Sequence, residues 1–307
     1  MLSGSNTSDS LAEKTTIDPW RMQRFLRVLV ALGLLEKSGE KYGVTEKGGY
    51  LSKDSAESLK SVATMHFYLF TAFSELEEVL RTGKPGYELS TGRKHFDAMV
   101  DMPDFAEAFD LTMNRIFIPE TAAMIEKFNF GKFQKIMDVG GGNGEVLLAA
   151  LARHADLTGQ LFDLPHVVER ARDCIEKSAF GSRCSVYGGS FFDDLPKGAD
   201  AILLRHIIHD WDVEDTLIIL RNCRDAVGPD GKVLLAEALI EDSDSMTLPI
   251  RLDLSMMTFY NGAERTLDEY RKLVIQAGLE IVNVMEITPA LSIMELAPIS
   301  ESIGSGH

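Results

Sequence analysis

The chain has 307 residues, 45% of them hydrophobic, enough to bury one large core, or one ordinary core with a helical appendage beside it. Its 47 acidic residues outnumber the 31 basic ones, for a formal charge of −16, so phosphate-rich polymers are repelled over most of the surface and nucleic acid is not expected as a partner. The three cysteines, Cys174, Cys184 and Cys223, form no CxxC pair, which argues against a disulfide framework and against a zinc site, and no metal is expected.

Residues 1–130 carry apolar residues at helical spacing, as in Phe25, Leu26, Leu29 and Leu32, and again in Leu69, Phe73, Leu76, Val79 and Leu80. This half is predicted to be a mostly helical domain. Within it, RFLRVLVALGLLEKSGEKYGVTEKGGYL reads as a helix, a short hairpin turning near Ser38 to Lys41, and another short element, together winged-helix-like. Such folds often bind DNA. Residues 1–60, however, hold nine Lys or Arg against eight Asp or Glu, too nearly neutral for a DNA footprint, so dimerisation or a lid over substrate is the expected role.

From Gln134 the pattern changes to short apolar runs alternating with helical stretches: KIMDV, GQLFDL, CSVYGG, DAILLR, GKVLLAE, EIVNVMEI and ALSIMELA. Alternation of this kind predicts an α/β catalytic domain over 131–299, a mostly parallel seven-stranded sheet covered by helices on both faces. The last two runs are joined only by the turn at Pro289, so they are expected to form an antiparallel hairpin at one sheet edge. The small, polar tail at 300–307 is expected to be disordered. No apolar run reaches the roughly 18 residues of a membrane span, and the opening MLSGSNTSDS has neither a basic start nor an apolar stretch, so a cytoplasmic protein is expected.

The first strand of this domain runs into GGGNGE, placing Gly140, Gly142 and Gly144 where the chain turns sharply into a helix and its backbone comes close to any ligand. A dinucleotide fingerprint needs G-x-G-x-x-G, and the last glycine is missing: Glu145 or Leu147 stands there, so a nicotinamide oxidoreductase is not favoured. The observed D-x-G-x-G-x-G suits S-adenosylmethionine better, the alternative being a tight turn with no ligand. Asp163 ends the next strand, where it can accept hydrogen bonds from both ribose hydroxyls or cap the helix at Pro165. Ser190 and Phe191 follow the third strand and are assigned to adenine by hydrogen bond and stacking, with Phe192 as readily core.

The fourth strand ends in LLRHIIHDW, putting His206 and His209 where the sheet opens on its ligand. A hydroxyl is a poor nucleophile until its proton leaves, and histidine is the side chain best matched to remove that proton at neutral pH. Two acids able to orient an imidazole follow, Glu237 at the end of VLLAE and Glu264 in NGAERT.

With these segments in order (DVGGGNG, FDLPHV, the glycine pair before Ser190, HIIHDW, Glu237 and the ERT of Glu264), the chain resembles the plant-type class I small-molecule O-methyltransferases. That family includes caffeic acid enzymes and bacterial polyketide and antibiotic O-methyltransferases. The resemblance runs from Leu11 to Ala297 and implies a Rossmann-like methyltransferase sheet, S-adenosylmethionine as cofactor and a small hydroxylated aromatic substrate. It implies His209 as general base with Glu237 and Glu264 holding its ring, and it leaves His206 outside the motif as packing. It places cofactor contacts at Gly140, Gly142, Asp163, Ser190, Phe191 and Arg205, with Asn114 and Arg115 near the methionine end. Ser190 stands where the plant pattern has aspartate, and Arg205 where it has lysine. The helices that relatives carry before the segment near Leu11 help build their dimer, and a homodimer is the expectation here. Substrate walls are expected from Met102, Phe105, Phe109 and Met113 in the helical half and from Met256, Met257, Phe259 and Tyr260 before Glu264, since methionine-rich lining tolerates irregular flat ligands. The rival readings are a relative that binds the cofactor yet performs hydroxylation, decarboxylation or pericyclic chemistry, and a non-catalytic regulator that would need a basic recognition helix.

Overall fold

All seven apolar runs beyond Gln134 pair into one sheet in the computed structural model, which describes residues 6–52, 58–241 and 245–299. The tail at 300–307 and the side chain of Asn114 lie outside the described residues. The chain divides into two compact units: residues 1–70 with 99–115, and residues 71–98 with 116–307.

In the first unit, α1 (Ser8–Thr15) and α2 (Pro19–Ala31) precede a hairpin of β1 (Leu35–Ser38) and β2 (Lys41–Val44), then the short α3 (Glu46–Gly49). The hairpin turns as the sequence predicts, with Ser38 opposite Lys41 in antiparallel register. Asp18 starts α2 because its carboxylate accepts the Arg21 N–H at 3.0 Å and Pro19 supplies a pre-set first helical residue. Leu11, Met22, Leu26, Leu35 and Tyr42 bury together as its core. The unit also takes the first turns of α4 (Lys60–Ser74) and of α8 (Pro103–Lys127).

The second unit opens with α5 (Leu76–Thr82), α6 (Gly86–Thr91) and the start of α7 (His95–Asp101), then takes the second half of α8, which contains Pro119. Its sheet is built from β3 (Lys135–Val139), β4 (Thr158–Asp163), β5 (Cys184–Gly188), β6 (Ala201–Arg205), β7 (Lys232–Glu237), β10 (Leu279–Thr288) and β11 (Leu291–Pro298). The strand order is β10-β11-β7-β6-β3-β4-β5. All pairs are parallel except β11 with β7 and the β10–β11 edge hairpin.

The strands read as continuous apolar runs because both faces are covered. Ile136 of β3 packs with α9 (Glu145–Arg153), α10 (Pro165–Lys177) and the end of α8, while its neighbours Met137 and Val139 pack with α11 (Val213–Val227) and α13 (Leu267–Gln276). Residues such as Leu203 and Leu204 are sealed on opposite faces, and truncating one such leucine to alanine costs about 2–5 kcal/mol.

This order creates the site. From β3 the chain winds outward to β4 and β5, then returns to the other side of β3 for β6 and β7, so the crevice at the carboxyl ends of β3 and β6 is a topological switch point. A small parallel ladder of β8 (Leu239–Ile240) and β9 (Arg265–Thr266) pairs Leu239 with Arg265, bringing the segment after α12 (Leu248–Phe259) back beside the end of β7. Thr266 and Glu269 then close a capping box that launches α13. Among the described residues no helix is long and apolar enough to cross a membrane.

Candidate active site

The turn after β3 is fixed by backbone conformations that side chains resist. Gly140, Gly142 and Gly144 have φ of 68°, 57° and 74°, the left-handed region glycine enters freely. A Cβ on Gly140 would stand 2.5 Å from Ile207 Cδ1 and face the Phe191 ring, so that glycine is also needed for space. Asp163 holds the turn from the neighbouring strand: one carboxylate oxygen accepts the Gly142 N–H at 2.8 Å and the other the Leu164 N–H at 2.7 Å. Asp163 does not cap α10, whose N-cap is Leu164 with no side-chain cap bond; its carboxylate keeps lone pairs beyond the two bonds it makes.

Ser190 Oγ accepts the Phe192 N–H at 3.2 Å, shaping the turn that presents Phe191. The Phe191 carbonyl accepts from Asn222, and its ring meets Trp211 edge-on at 5.7 Å. Arg205, at the end of β6, donates to Thr121 Oγ1 at 2.7 Å and lies over the Phe117 ring. Beneath the glycines, Asp138 is buried with Oδ2 lacking a hydrogen-bond partner, and burial, partly offset by Arg205, pushes its pKa up to about 7.

His209 sits in a 3-10 turn, Ile208–Asp210, just beyond β6. Its Nδ1 is 2.7 Å from Glu264 Oε1 and 3.8 Å from Glu237 Oε2, and its Nε2 is 3.5 Å from Asp210 Oδ1. Glu264 is thus the direct partner of the ring. Glu237 does a different job with its other oxygen, which accepts the N–H groups of Ile207 and Ile208 at 3.1 and 2.8 Å and pins the turn itself. All three side chains are buried. Burial alone would push the imidazole down, but Asp210, Glu237 and Glu264 together raise it to about 10. Burial raises Glu237 to about 7 against the pull of His209, and Asp210 to about 6.

His206, expected as packing, stacks on Phe117 with ring centroids 4.5 Å apart. It also sits 5.3 Å, centroid to centroid, from His209, bonds Glu120 through Nε2 at 2.8 Å, and has a φ of 52°, rare for a side-chain-bearing residue.

Of the residues expected on the substrate side, Met256 is buried on α12, and Tyr260, at the end of that helix, stacks with Phe96 at 5.3 Å and meets His95 edge-on at 4.8 Å. Met113 and Arg115 belong to the first unit, where Met113 is half-buried and Arg115 donates to the Ser58 carbonyl at 2.9 Å. Sequence reading missed several residues that build the turn. Arg265 donates to the carbonyls of Ile208, Ala263 and Trp211, clamping the two loops together. Gly262 lies so close to the His209 and Asp210 backbone that any Cβ would collide with the His209 carbonyl. Both lie within two residues of Glu264 in sequence and were available as its neighbours, whereas Glu120 and Phe117 carry no local signal.

The groups at the ends of β3, β4 and β5 fit S-adenosylmethionine: a glycine turn with open space at Gly142, a carboxylate at Asp163, and the Phe191 ring. Residues 73–280 match the family model described as an O-methyltransferase domain. The chain is 33% identical to the 2,7-dihydroxy-5-methyl-1-naphthoate 7-O-methyltransferase of Streptomyces carzinostaticus, over 93% of this chain and 89% of that one. It is equally 33% identical to the aclacinomycin 10-hydroxylase RdmB of Streptomyces purpurascens, over 92% and 78%. Among solved structures, the O-methyltransferase NcsB1 from neocarzinostatin biosynthesis, in complex with S-adenosylmethionine and 2-hydroxy-5-methyl naphthoic acid, superposes with a TM-score of 0.86 at 32% identity, covering 96% of this chain and 90% of that one. The chain therefore belongs to the S-adenosylmethionine-dependent O-methyltransferase family, and it is an enzyme of that class.

Proposed function

We propose that the enzyme methylates a phenolic hydroxyl of a small aromatic natural product, with His209 as the general base and Glu264 and Glu237 as the groups that hold it. The observation that carries this reading is the 2.7 Å contact between His209 Nδ1 and Glu264. A glutamate on Nδ1 fixes the ring's orientation and leaves Nε2 as the nitrogen that takes the hydroxyl proton when the ring is neutral. Against burial, Asp210, Glu237 and Glu264 raise the imidazole and so stabilise the imidazolium that proton removal creates, the ring acting as base from its neutral form.

The cofactor, when bound, supplies the electrophilic methyl group beside a sulfonium charge. The chain's own part is positioning, exclusion of water and removal of one proton at Nε2, the last contributing about 10²- to 10⁴-fold. Gly140, Gly142, Asp163, Ser190, Phe191, Arg205 and Arg115 are assigned to the cofactor, and Met113, Met256 and Tyr260 to the acceptor. An aromatic acceptor is supported by relatives whose names specify naphthoates and hydroxybenzoates.

The helical residues 1–130 are assigned to a winged-helix-like dimerisation and substrate-lid role, and 131–299 to catalysis, in a cytoplasmic homodimer. Supporting the dimer, Phe67 and Phe70 on α4 are 75% and 76% exposed, and Trp20, Phe25, Val28 and Leu32 form an exposed apolar stripe on and just beyond α2. Light scattering on Phe67→Glu/Phe70→Glu is expected to show half the parent's mass, and an unchanged mass would remove α4 from the interface.

The test of function is transfer of labelled methyl from S-adenosylmethionine to a panel of phenols and polyketide aromatics. Label on an acceptor, falling at least about a hundredfold in a His209→Ala protein that still binds the cofactor, is the expected result. Equal transfer by both proteins would remove His209 from its role. Cofactor binding with no transfer but oxygenation of a substrate would favour the second reading, non-methylating chemistry, which the 10-hydroxylase relative supports.

A further inference from the structure

His206, His209 and Glu237 each offer one donor atom, and the three atoms lie within 4.8 Å of one another in a buried nest. Three polar atoms in and beside that nest are left over by the hydrogen bonds described above. His206 Nδ1 and Glu237 Oε2 are fully buried and have no hydrogen-bond partner, and Glu264 Oε2 beside them has none either. Buried polar atoms without partners are uncommon enough to require an explanation, a missing ion among them. Each histidine also has a carboxylate behind one ring nitrogen, Glu120 on His206 Nε2 at 2.8 Å and Glu264 on His209 Nδ1 at 2.7 Å. That is the arrangement by which proteins orient metal-ligating imidazoles. On His206 it leaves Nδ1 for an ion. On His209 the nitrogen facing Glu237 is Nδ1, 3.8 Å from Oε2, which an ion would share with or take from Glu264.

We propose that His206, His209 and Glu237 form a binding site for a zinc-class divalent transition ion, and that the ion inhibits methyl transfer by occupying the base. The donor set selects the class. Two imidazoles and one carboxylate are the ligands of borderline ions such as Zn²⁺, whereas Mg²⁺ and Ca²⁺ prefer all-oxygen shells. Three protein ligands leave a fourth position open. Donor atoms around a tetrahedral zinc stand about 3.3 Å apart, so small rotations of these side chains close the site. The surroundings suit a dication, since Glu120, Asp210 and Glu264 ring the two histidines with negative charge. Spacing in the sequence hides the site, because Glu237 lies 28 residues beyond His209 in chain order.

Binding rests on the geometry alone, and inhibition rests on the reading of His209 as base. The two are separable. The full-length protein titrated with Co²⁺ is expected to develop the visible bands of a low-coordinate cobalt centre, with Zn²⁺ displacing it and inhibiting methyl transfer until a chelator is added. His206→Asn is the informative variant, because asparagine tolerates the left-handed backbone at this position. It is expected to lose the bands and to raise the inhibitory Zn²⁺ concentration at least about tenfold, measured against its own metal-free rate. Glu120→Gln keeps all three ligands and is expected to weaken binding by about 10- to 100-fold, which keeps the idea testable should the first variant fold poorly. Absent bands, or bands unchanged in both variants, would overturn the site. Zn²⁺ inhibition abolished by Cys174→Ser, an exposed thiol, would overturn inhibition through this site. Bands in the parent with unimpaired methyl transfer would leave the metal site standing and remove His209 as the base.

Discussion

The turn after β3 and the turn after β6 stand side by side at the switch point of the sheet, yet they are made in opposite ways. The glycine turn is local: three positive-φ glycines lie within five residues, and one carboxylate from the adjacent strand secures them. The histidine turn is assembled from a distance. Glu237 holds its backbone, Glu264 its ring and Arg265 its carbonyls, while Glu120 of α8 reaches the neighbouring His206. A turn set by backbone conformation can be written into one short segment. An imidazole surrounded by carboxylates cannot, because the chain must bring those charges together by folding.

That contrast can be broken most forcefully at Glu264. Glu264→Gln can no longer stabilise a charged ring or dictate its tautomer, so kcat is expected to fall at least about a hundredfold while affinity for S-adenosylhomocysteine stays within a factor of about two. If kcat survives, the histidine turn does not depend on remote charge. Gly262→Ala comes next. Its methyl collides with the His209 carbonyl, so thermal unfolding is expected to reveal a loss of about 1–3 kcal/mol, with turnover falling and cofactor affinity retained.

The glycine turn predicts the reverse pattern. Gly140→Ala, which crowds Ile207 and Phe191, is expected to weaken cofactor binding about tenfold by calorimetry. Gly142→Ala, with open space around it, is expected to lose only about 1–2 kcal/mol of stability through backbone strain. Comparable losses of affinity in both would mean that conformation, rather than space, governs the turn.

A pH-dependent effect is expected at Asp138. Its folded-state pKa, about 7, lies above the ordinary carboxylate value, so the folded protein binds the proton more tightly than the unfolded chain. The stability this contributes is full below pH 4 and is lost as pH rises through 7. Asp138→Asn lacks that titration. Its melting temperature relative to the parent is expected to climb by several °C between pH 4 and 8, and a flat difference would show that Asp138 ionises freely in the fold.

The seven strands were legible because β-strands buried on both faces must be apolar throughout, as in KIMDV and AILLR, and because Pro289 leaves room only for a hairpin. The glycines and Asp163 were legible for a related reason, since turn geometry and strand ends are local properties. The identity of the direct partner of His209 was not. Glu237 and Glu264 read alike as downstream acids, and only the β8–β9 ladder, which sets Arg265 opposite Leu239, puts Glu264 on the ring and turns Glu237 toward the backbone. The role of His206 was hidden as well, because its proximity to His209 depends on a left-handed backbone and on Glu120 and Phe117 from a distant helix.

By itself the sequence determined the sheet, the switch-point glycines, the family resemblance and the residue types needed to deprotonate a hydroxyl. Those follow from hydrophobic period and backbone conformation, which short segments encode. Tertiary structure decided which acid faces the imidazole, how far its proton affinity rises, and that a second histidine converges on the first. Those depend on distance and burial, and Coulomb interactions in a dry site change with each ångström in a way that spacing along a chain does not specify.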